Sequence, residues 1–302
     1  MATEPLQNLS QVLNYYEILE LIHLDEKVNK KSYLGKEPKK CRFCTETNAT
    51  FKKDAHAFPE FIGNKYLLTH YECDPCNKEF GENIETNMAN FMLVNHIISG
   101  VQGKEREIPK YKRSTITLNS NGKHIDIKNV DVVKPNDKQF AVSLINPAFV
   151  PIAVYKCLTK MALTIMPEKE LNNFSNTLKW IKEKKHDNSN YVFESLLIFY
   201  SYSKVQFPFI SAILMKRKES IDNGMPNFIF RLTYANFSFQ TYIPLCSLDS
   251  AHSYSFDQLL YVPNLIDITK GFMASNRTCS DFNTCEKINS NITTIEIENL
   301  DK

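Results

Sequence analysis

The amino-acid sequence predicts an α+β protein: a small N-terminal module held by cysteines, then an α+β domain with two helices and an antiparallel sheet. Cys41-Arg-Phe-Cys44 and Cys73-Asp-Pro-Cys76 are two Cys-x-x-Cys pairs that bracket His56. Apolar residues recur at helical spacing through 147–165 and 167–181. From Tyr191 the runs 192–202, 209–215, 228–234 and 237–243 are rich in β-branched and aromatic residues, the signature of strands. The chain therefore divides into an N-terminal helical segment (1–37), the cysteine module (38–103) and a C-terminal α+β domain (104–302).

Two residues between thiols let a tight knuckle point both sulfurs at one tetrahedral ion, so Cys41, Cys44, Cys73 and Cys76 are the expected ligands of a structural Zn²⁺. Disulfide pairing is the weaker alternative. The opening residues Met-Ala-Thr-Glu-Pro-Leu-Gln do not resemble a signal peptide, and a cytoplasmic chain keeps its thiols reduced.

His56-Ala-Phe-Pro59, Gly63-Asn64 and Cys76-Asn77, the last opening an apparent helix, resemble the HNH, or ββα-metal, endonuclease family in its four-cysteine form, over roughly residues 38–100. The resemblance implies that a hairpin carries His56, that the zinc knuckles join hairpin to helix, and that Asn77 faces the histidine across a catalytic divalent ion, Mg²⁺ or Mn²⁺. Phosphodiester hydrolysis needs a water deprotonated near neutral pH, and a neutral imidazole suits that task, so His56 is the expected general base. A hard cation on the scissile phosphate takes oxygen ligands, one of them from Asn77 by resemblance. Gly63 permits a sharp loop, and Asn64 is suited to hydrogen-bond a backbone carbonyl or to steady the imidazole.

The sequence departs from the family immediately before the histidine, where Ala55 stands in place of the usual acidic ligand. Alternation along a strand puts Asp54 on the same face as His56, which makes Asp54 the expected substitute at the divalent ion. Glu60 and Glu72 are the other candidates.

The remaining segments set the surroundings. Leu9, Val12, Leu13, Tyr16, Leu19 and Ile22 predict a helix over 7–26. Lysines 27, 30, 31, 36, 39 and 40 follow, with Arg42 inside the first knuckle; the run reads as a solvated loop or as a surface that neutralises phosphates. Phe80, Ile84, Met88, Phe91 and Met92 predict a helix that ends near Ser99-Gly100, with Glu85 structural. The basic stretch 103–113, with Tyr111 inside it, reads as a linker or a nucleic-acid contact. A hairpin is expected over 114–127, turning at 119–122, and Asn146 is a capping residue for the helix over 147–165. Pro167 opens the next helix, Cys157 is core, and turns are expected at Asn223-Gly224 and Asn236. Beyond residue 275 no period is evident, and Cys279 and Cys285 lack partners for a second metal site.

Composition bounds the function. Apolar residues at 43% and charged residues at 23% are globular values, and no run approaches the roughly 18 apolar residues of a membrane span. A net charge of +2 confines any nucleic-acid affinity to local basic patches. With 8 glycines and neither a P-loop nor a Gly-x-Gly-x-x-Gly turn, nucleotide-fuelled and dinucleotide chemistry are not expected. The resulting expectation is a metal-dependent DNA endonuclease, which the family resemblance associates with restriction, phage defence or mobile elements. Its C-terminal domain would choose DNA, sense a signal or form a homodimer that cuts both strands. The alternatives are a non-catalytic zinc-dependent DNA-binding protein, suggested by Ala55, and an RNA nuclease.

Overall fold

A helix that is apolar on every side has to be surrounded, and Pro151–Ile165 is such a helix: all 15 of its residues are buried. The rest of the chain provides the walls. The computed structural model describes residues 4–25, 30–44, 46, 48–113, 116–120, 125–128, 133–136, 139–187, 190–220, 224–263, 276–289 and 292–298. In chain order these form α1 (Glu4–Tyr15), β1 (Tyr16–Asp25), β2 (Ser32–Leu34), β3 (Ala55–His56), β4 (Leu67–Thr69), α2 (Asp74–Phe80) and α3 (Thr86–Ile98), with a π turn at Gly81–Glu85 joining α2 to α3. Next come β5 (Tyr111–Arg113), β6 (Ile116–Ser120), β7 (Ile125–Lys128), β8 (Val133–Asn136) and β9 (Gln139–Ile145). The buried helix is α4 (Pro151–Ile165), followed by α5 (Glu168–Leu171), α6 (Ser175–Ile181), β10 (Leu197–Arg217), β11 (Phe228–Tyr242), β12 (Asn276–Asp281) and β13 (Ile292–Glu298).

The main sheet has the order β1-β10-β11, and β12 shares with β1 one edge of β10. Three smaller sheets run β13-β9-β8, β2-β4-β3 and β5-β6-β7. The helix expected over 7–26 therefore stops at Tyr15. Residues from Tyr16 onward pair antiparallel with β10, from Tyr16 opposite Arg217 to Asp25 opposite Phe209. Leu19 and Ile22 fit a helical period as well as a strand, and a free sheet edge decides between them. Tyr16 fixes the junction: its hydroxyl donates to the Pro226 carbonyl at 2.7 Å.

Two pairs of expected strands each merge into one. Runs 192–202 and 209–215 lie within or flank β10, whose register shifts between Tyr202 and Phe207 and again before Ser211. Runs 228–234 and 237–243 are one strand, β11, which passes through Ala235 at φ +48° instead of turning at Asn236. Bulges let long strands bend without ending. Beyond residue 275 two strands do exist, each paired to a distant partner. The hairpin over 114–127 is present as β6 and β7; Asn119 and Ser120, expected in its turn, pair with Asp126 and Ile125, and residues 121–124, like Asn223, lie outside the described residues. Asn146 is not the cap of α4: its Oδ1 accepts from the Val94 amide at 3.2 Å, and Val150 caps a helix that opens on Pro151.

Packing crosses the expected boundaries at 37 and 103. One apolar core takes in Cys41, Phe43, Phe58 and Phe80 together with α4, β10 and β11. Asn87 and Asn90 of α3 bond the backbone of Val150 and Ala148 just before α4. The strongest tie is Arg42, read from sequence as a candidate phosphate contact. Its side chain is 2% exposed. Nη1 donates to the carbonyls of Leu163 at 2.7 Å, Thr164 at 3.1 Å and Met166 at 2.9 Å, which caps the C-terminal end of α4. The guanidinium carbon also lies 3.4 Å from the centre of the Tyr71 ring.

Removing a buried cation that satisfies three carbonyls should destabilise the fold by about 3 kcal/mol, the order expected for charged hydrogen bonds. Urea unfolding of Arg42→Ala should show that loss. Arg42→Lys should recover little of it, because an ammonium lacks the flat fork and the stacking face. A loss under about 0.5 kcal/mol, typical of a surface substitution, would contradict this role.

Candidate metal centre and active site

The two knuckles meet. The Sγ atoms of Cys41, Cys44, Cys73 and Cys76 all lie within 4.8 Å of one another, and Cys44 and Cys73 are 3.7 Å apart. A tetrahedral zinc with bonds of about 2.3 Å has sulfur–sulfur edges of ~3.8 Å, so the donor set and its spacing fit Zn²⁺. A hydrogen bond from Cys76 pulls the Cys41 thiol down to about 4, and the same bond pushes Cys76 up. Four sulfurs this close and this buried cannot all be thiolates unaided; a dication removes that limit.

Cys73 is also the N-cap residue of α2, which ties the second knuckle to the helix. Asp74, in the first turn, accepts from the amides of Lys52 and Lys53 at 2.9 and 3.0 Å, and its own amide donates to the Thr50 carbonyl at 2.8 Å. The segment leading into His56 is thereby fastened to the helix start. β3 pairs antiparallel with β4, His56 opposite Leu68, and β2 lies parallel along the other edge of β4. The hairpin loop turns at Gly63, whose φ of +97° caps the short 3-10 turn Glu60–Ile62 and favours glycine.

Asn64 takes the first of its two expected tasks. Its amide nitrogen donates to the carbonyls of Phe58 and Leu67 at 2.7 and 2.8 Å, and its oxygen accepts from the amides of Tyr66 and Leu67. With 1% exposure it closes the hairpin loop, and these bonds all go to backbone. It positions the strand that carries His56.

His56 is half-buried, and burial lowers its pKa below the ordinary histidine value. Glu60 opposes that shift with its carboxylate oxygen 3.9 Å from Nε2, Lys65 reinforces it, and Glu85 and Lys160 act more weakly. Asp54 does not take the place that alternation gave it. β3 spans only Ala55 and His56, so Asp54 lies outside the strand and the period-two argument does not reach it. Its carboxylate is held by Lys31 at 3.2 Å, Tyr33 at 3.0 Å and Lys39 at 3.7 Å, and those partners keep its pKa below the usual range. Asn77 lies on α2, one turn beyond Cys73, to whose carbonyl its amide donates.

Glu72 points inward. It and Lys160 of α4 are both fully buried, with Nζ 2.7 Å from Oε2 in an ionic contact that is not aligned as a hydrogen bond. The same ammonium donates to Glu85 at 3.3 Å, and Glu85 ends the π turn. Burial pushes Glu72 up to about 7 despite the lysine, since one cation serves two carboxylates. Lys160 was not singled out from sequence, although a charge in an otherwise apolar helical run is a signal that a buried partner must exist.

A β-hairpin with a half-buried imidazole, gathered with the helix after it by four cysteines suited to zinc, defines the ββα-metal class. Residues 41–93 match the family described as HNH endonuclease, so this part of the chain is an HNH domain. No curated protein and no solved structure matches the chain.

Elemental analysis should find one zinc per chain. Serine at any one of Cys41, Cys44, Cys73 or Cys76 should release that zinc and unfold the module, because structural zinc supplies on the order of 10 kcal/mol to small folds. A Cys73→Ser protein that keeps stoichiometric zinc would contradict this ligand set.

Proposed function

We propose that the protein is a metal-dependent endonuclease that hydrolyses DNA phosphodiester bonds. The observation that carries this reading is His56: a half-buried imidazole kept neutral by its surroundings, on an HNH domain, with the Glu60 carboxylate 3.9 Å from its Nε2. Neutral imidazole takes a proton from water at physiological pH, and a positioned base of this kind is worth about 10² to 10⁴ in rate. Glu60 orients the imidazole and stabilises the imidazolium formed when the proton arrives.

Among the described residues the four cysteines are the one group of three or more His, Cys, Asp or Glu ligands gathered together. That suits a Mg²⁺ or Mn²⁺ held by one or two protein oxygens and otherwise by water and the substrate phosphate. Glu60 and the side-chain oxygen of Asn77 are the donors this reading assigns, Glu60 in the place expected for Asp54. The ion supplies positive charge at the scissile phosphate and the leaving oxygen. Lys65 adds a cation within electrostatic reach of His56. Cutting both strands asks for two such sites, which a homodimer provides. A cytoplasmic role in restriction or phage defence belongs to the same proposal and rests on the family resemblance.

His56→Ala should lower the cleavage rate by about 10² to 10⁴ while zinc content and DNA binding persist. In the wild type, kcat/KM should rise with pH through a midpoint below the ordinary histidine value of about 6.5 and then level off, because a depressed pKa leaves the base form present above it. A midpoint above 6.5, or full activity in His56→Ala, would contradict the assignment.

Two carboxylates compete for the metal role, and substitution separates them. Glu60→Gln should lose activity in a way that higher Mn²⁺ partly restores, as should Asn77→Ala, whereas Asp54→Ala should stay within about threefold of wild type. An inactive Asp54→Ala beside an active Glu60→Gln would return the role to Asp54. The same series on RNA tests the alternative substrate.

A further inference from the structure

Where β1, the hairpin loop 62–66, the segment 99–106 and β10 meet, the molecule has an open cleft of about 840 Å³. Four cations line it, Lys30, Lys31, Lys65 and Arg106, against one acid, Asp25, and of the four Lys31 is already paired with Asp54. Lys65 and Arg106 are near neighbours. Burial and the adjacent guanidinium hold the Lys65 ammonium below its usual pKa, with Glu60 opposing them. Two cations that repel each other this way gain most from an anion between them. Neither is idle in the free protein: Lys65 donates to the Gly103 carbonyl, and Arg106 donates to the Tyr66 hydroxyl at 2.9 Å. Lys65 also acts electrostatically on His56, which the same hairpin carries, although His56 itself does not line the cleft.

Aromatic rings contribute to its other walls. Phe209, 6% exposed, lies along the cleft with its ring 4.9 Å from that of His23, and Tyr66 stands beside Lys65. Cations interleaved with π faces are what an unpaired strand requires, phosphates on the first and bases against the second. Cavities of roughly 300–1,000 Å³ take ligands of nucleotide size.

We propose that this cleft binds an unpaired DNA strand next to the phosphodiester presented to His56, with phosphates on Lys65 and Arg106 and a base against Phe209 or Tyr66. The inference rests on the nuclease reading and narrows its substrate: DNA with a single-stranded segment beside the cut, such as a flap, a gap or a melted site.

The test uses full-length, zinc-loaded His56→Ala protein without added Mg²⁺ or Mn²⁺, so that binding is measured apart from cutting. Fluorescence anisotropy should show a labelled 12-nucleotide strand bound at least tenfold tighter than the blunt duplex of the same sequence. Arg106→Glu should weaken strand binding at least tenfold and reduce the slope of log K against log salt by about 0.7 for each phosphate no longer neutralised. Phe209→Ala should weaken it about tenfold with the salt slope unchanged. Lys30→Glu, at an exposed cleft residue, gives a charge reversal that does not touch the hairpin. Equal affinity for strand and duplex, or strand binding indifferent to both Arg106→Glu and Lys30→Glu, overturns the proposal. Strand binding by a wild type that cuts nothing would keep the cleft and remove the enzyme reading; cleavage by a protein that binds only duplex would do the reverse.

Discussion

The architecture depends on a helix with no face toward water. α4 is buried along its whole length, yet it carries Lys156 and Lys160 and ends in carbonyls that need donors. Its own hydrogen bonds cannot satisfy either demand. The HNH module answers both: Glu72 and Glu85 take the Lys160 ammonium, and Arg42 takes the carbonyls at the C-terminal end. Lys156 is handled from the other side, by the Glu183 carbonyl. Because Arg42 sits between Cys41 and Cys44 of the four-cysteine cluster, the knuckle that fastens the hairpin also fastens the helix.

This arrangement bears on chemistry. A side chain on a two-residue strand is only as well placed as the structure behind it, and His56 has several supports. Asn64 closes its loop, Asp74 holds the segment that leads into it, and Lys160 with Glu85 lies within electrostatic reach. The C-terminal part is thus coupled to the site by buried charge and helix capping.

The site was legible in sequence where chemistry depends on local spacing. The cysteine pairs, the histidine between them and the helix after Cys76 needed only short-range pattern, and the structure gathers the four sulfurs as the spacing requires. What sequence concealed was long-range. Residues 16–25 could follow a helical period until β10 offered an edge. Strand β12, Asn-Arg-Thr-Cys-Ser-Asp, has too little alternation to declare itself without its partner, whereas β13 does alternate, Ile295 and Ile297 against Glu296 and Glu298. Asp54 looked right by alternation, but a strand of two residues does not carry alternation past its end. Arg42 looked like surface charge, and Lys160 did not stand out, because their partners lie far away in sequence.

The most direct measurement is conversion of supercoiled plasmid by the purified, zinc-loaded protein with Mg²⁺ or Mn²⁺, with and without chelator. The account predicts nicked and linear products that depend on the added ion and are lost in His56→Ala. Plasmid that is bound but left supercoiled under every ion would contradict the account and make the protein a zinc-dependent DNA-binding protein.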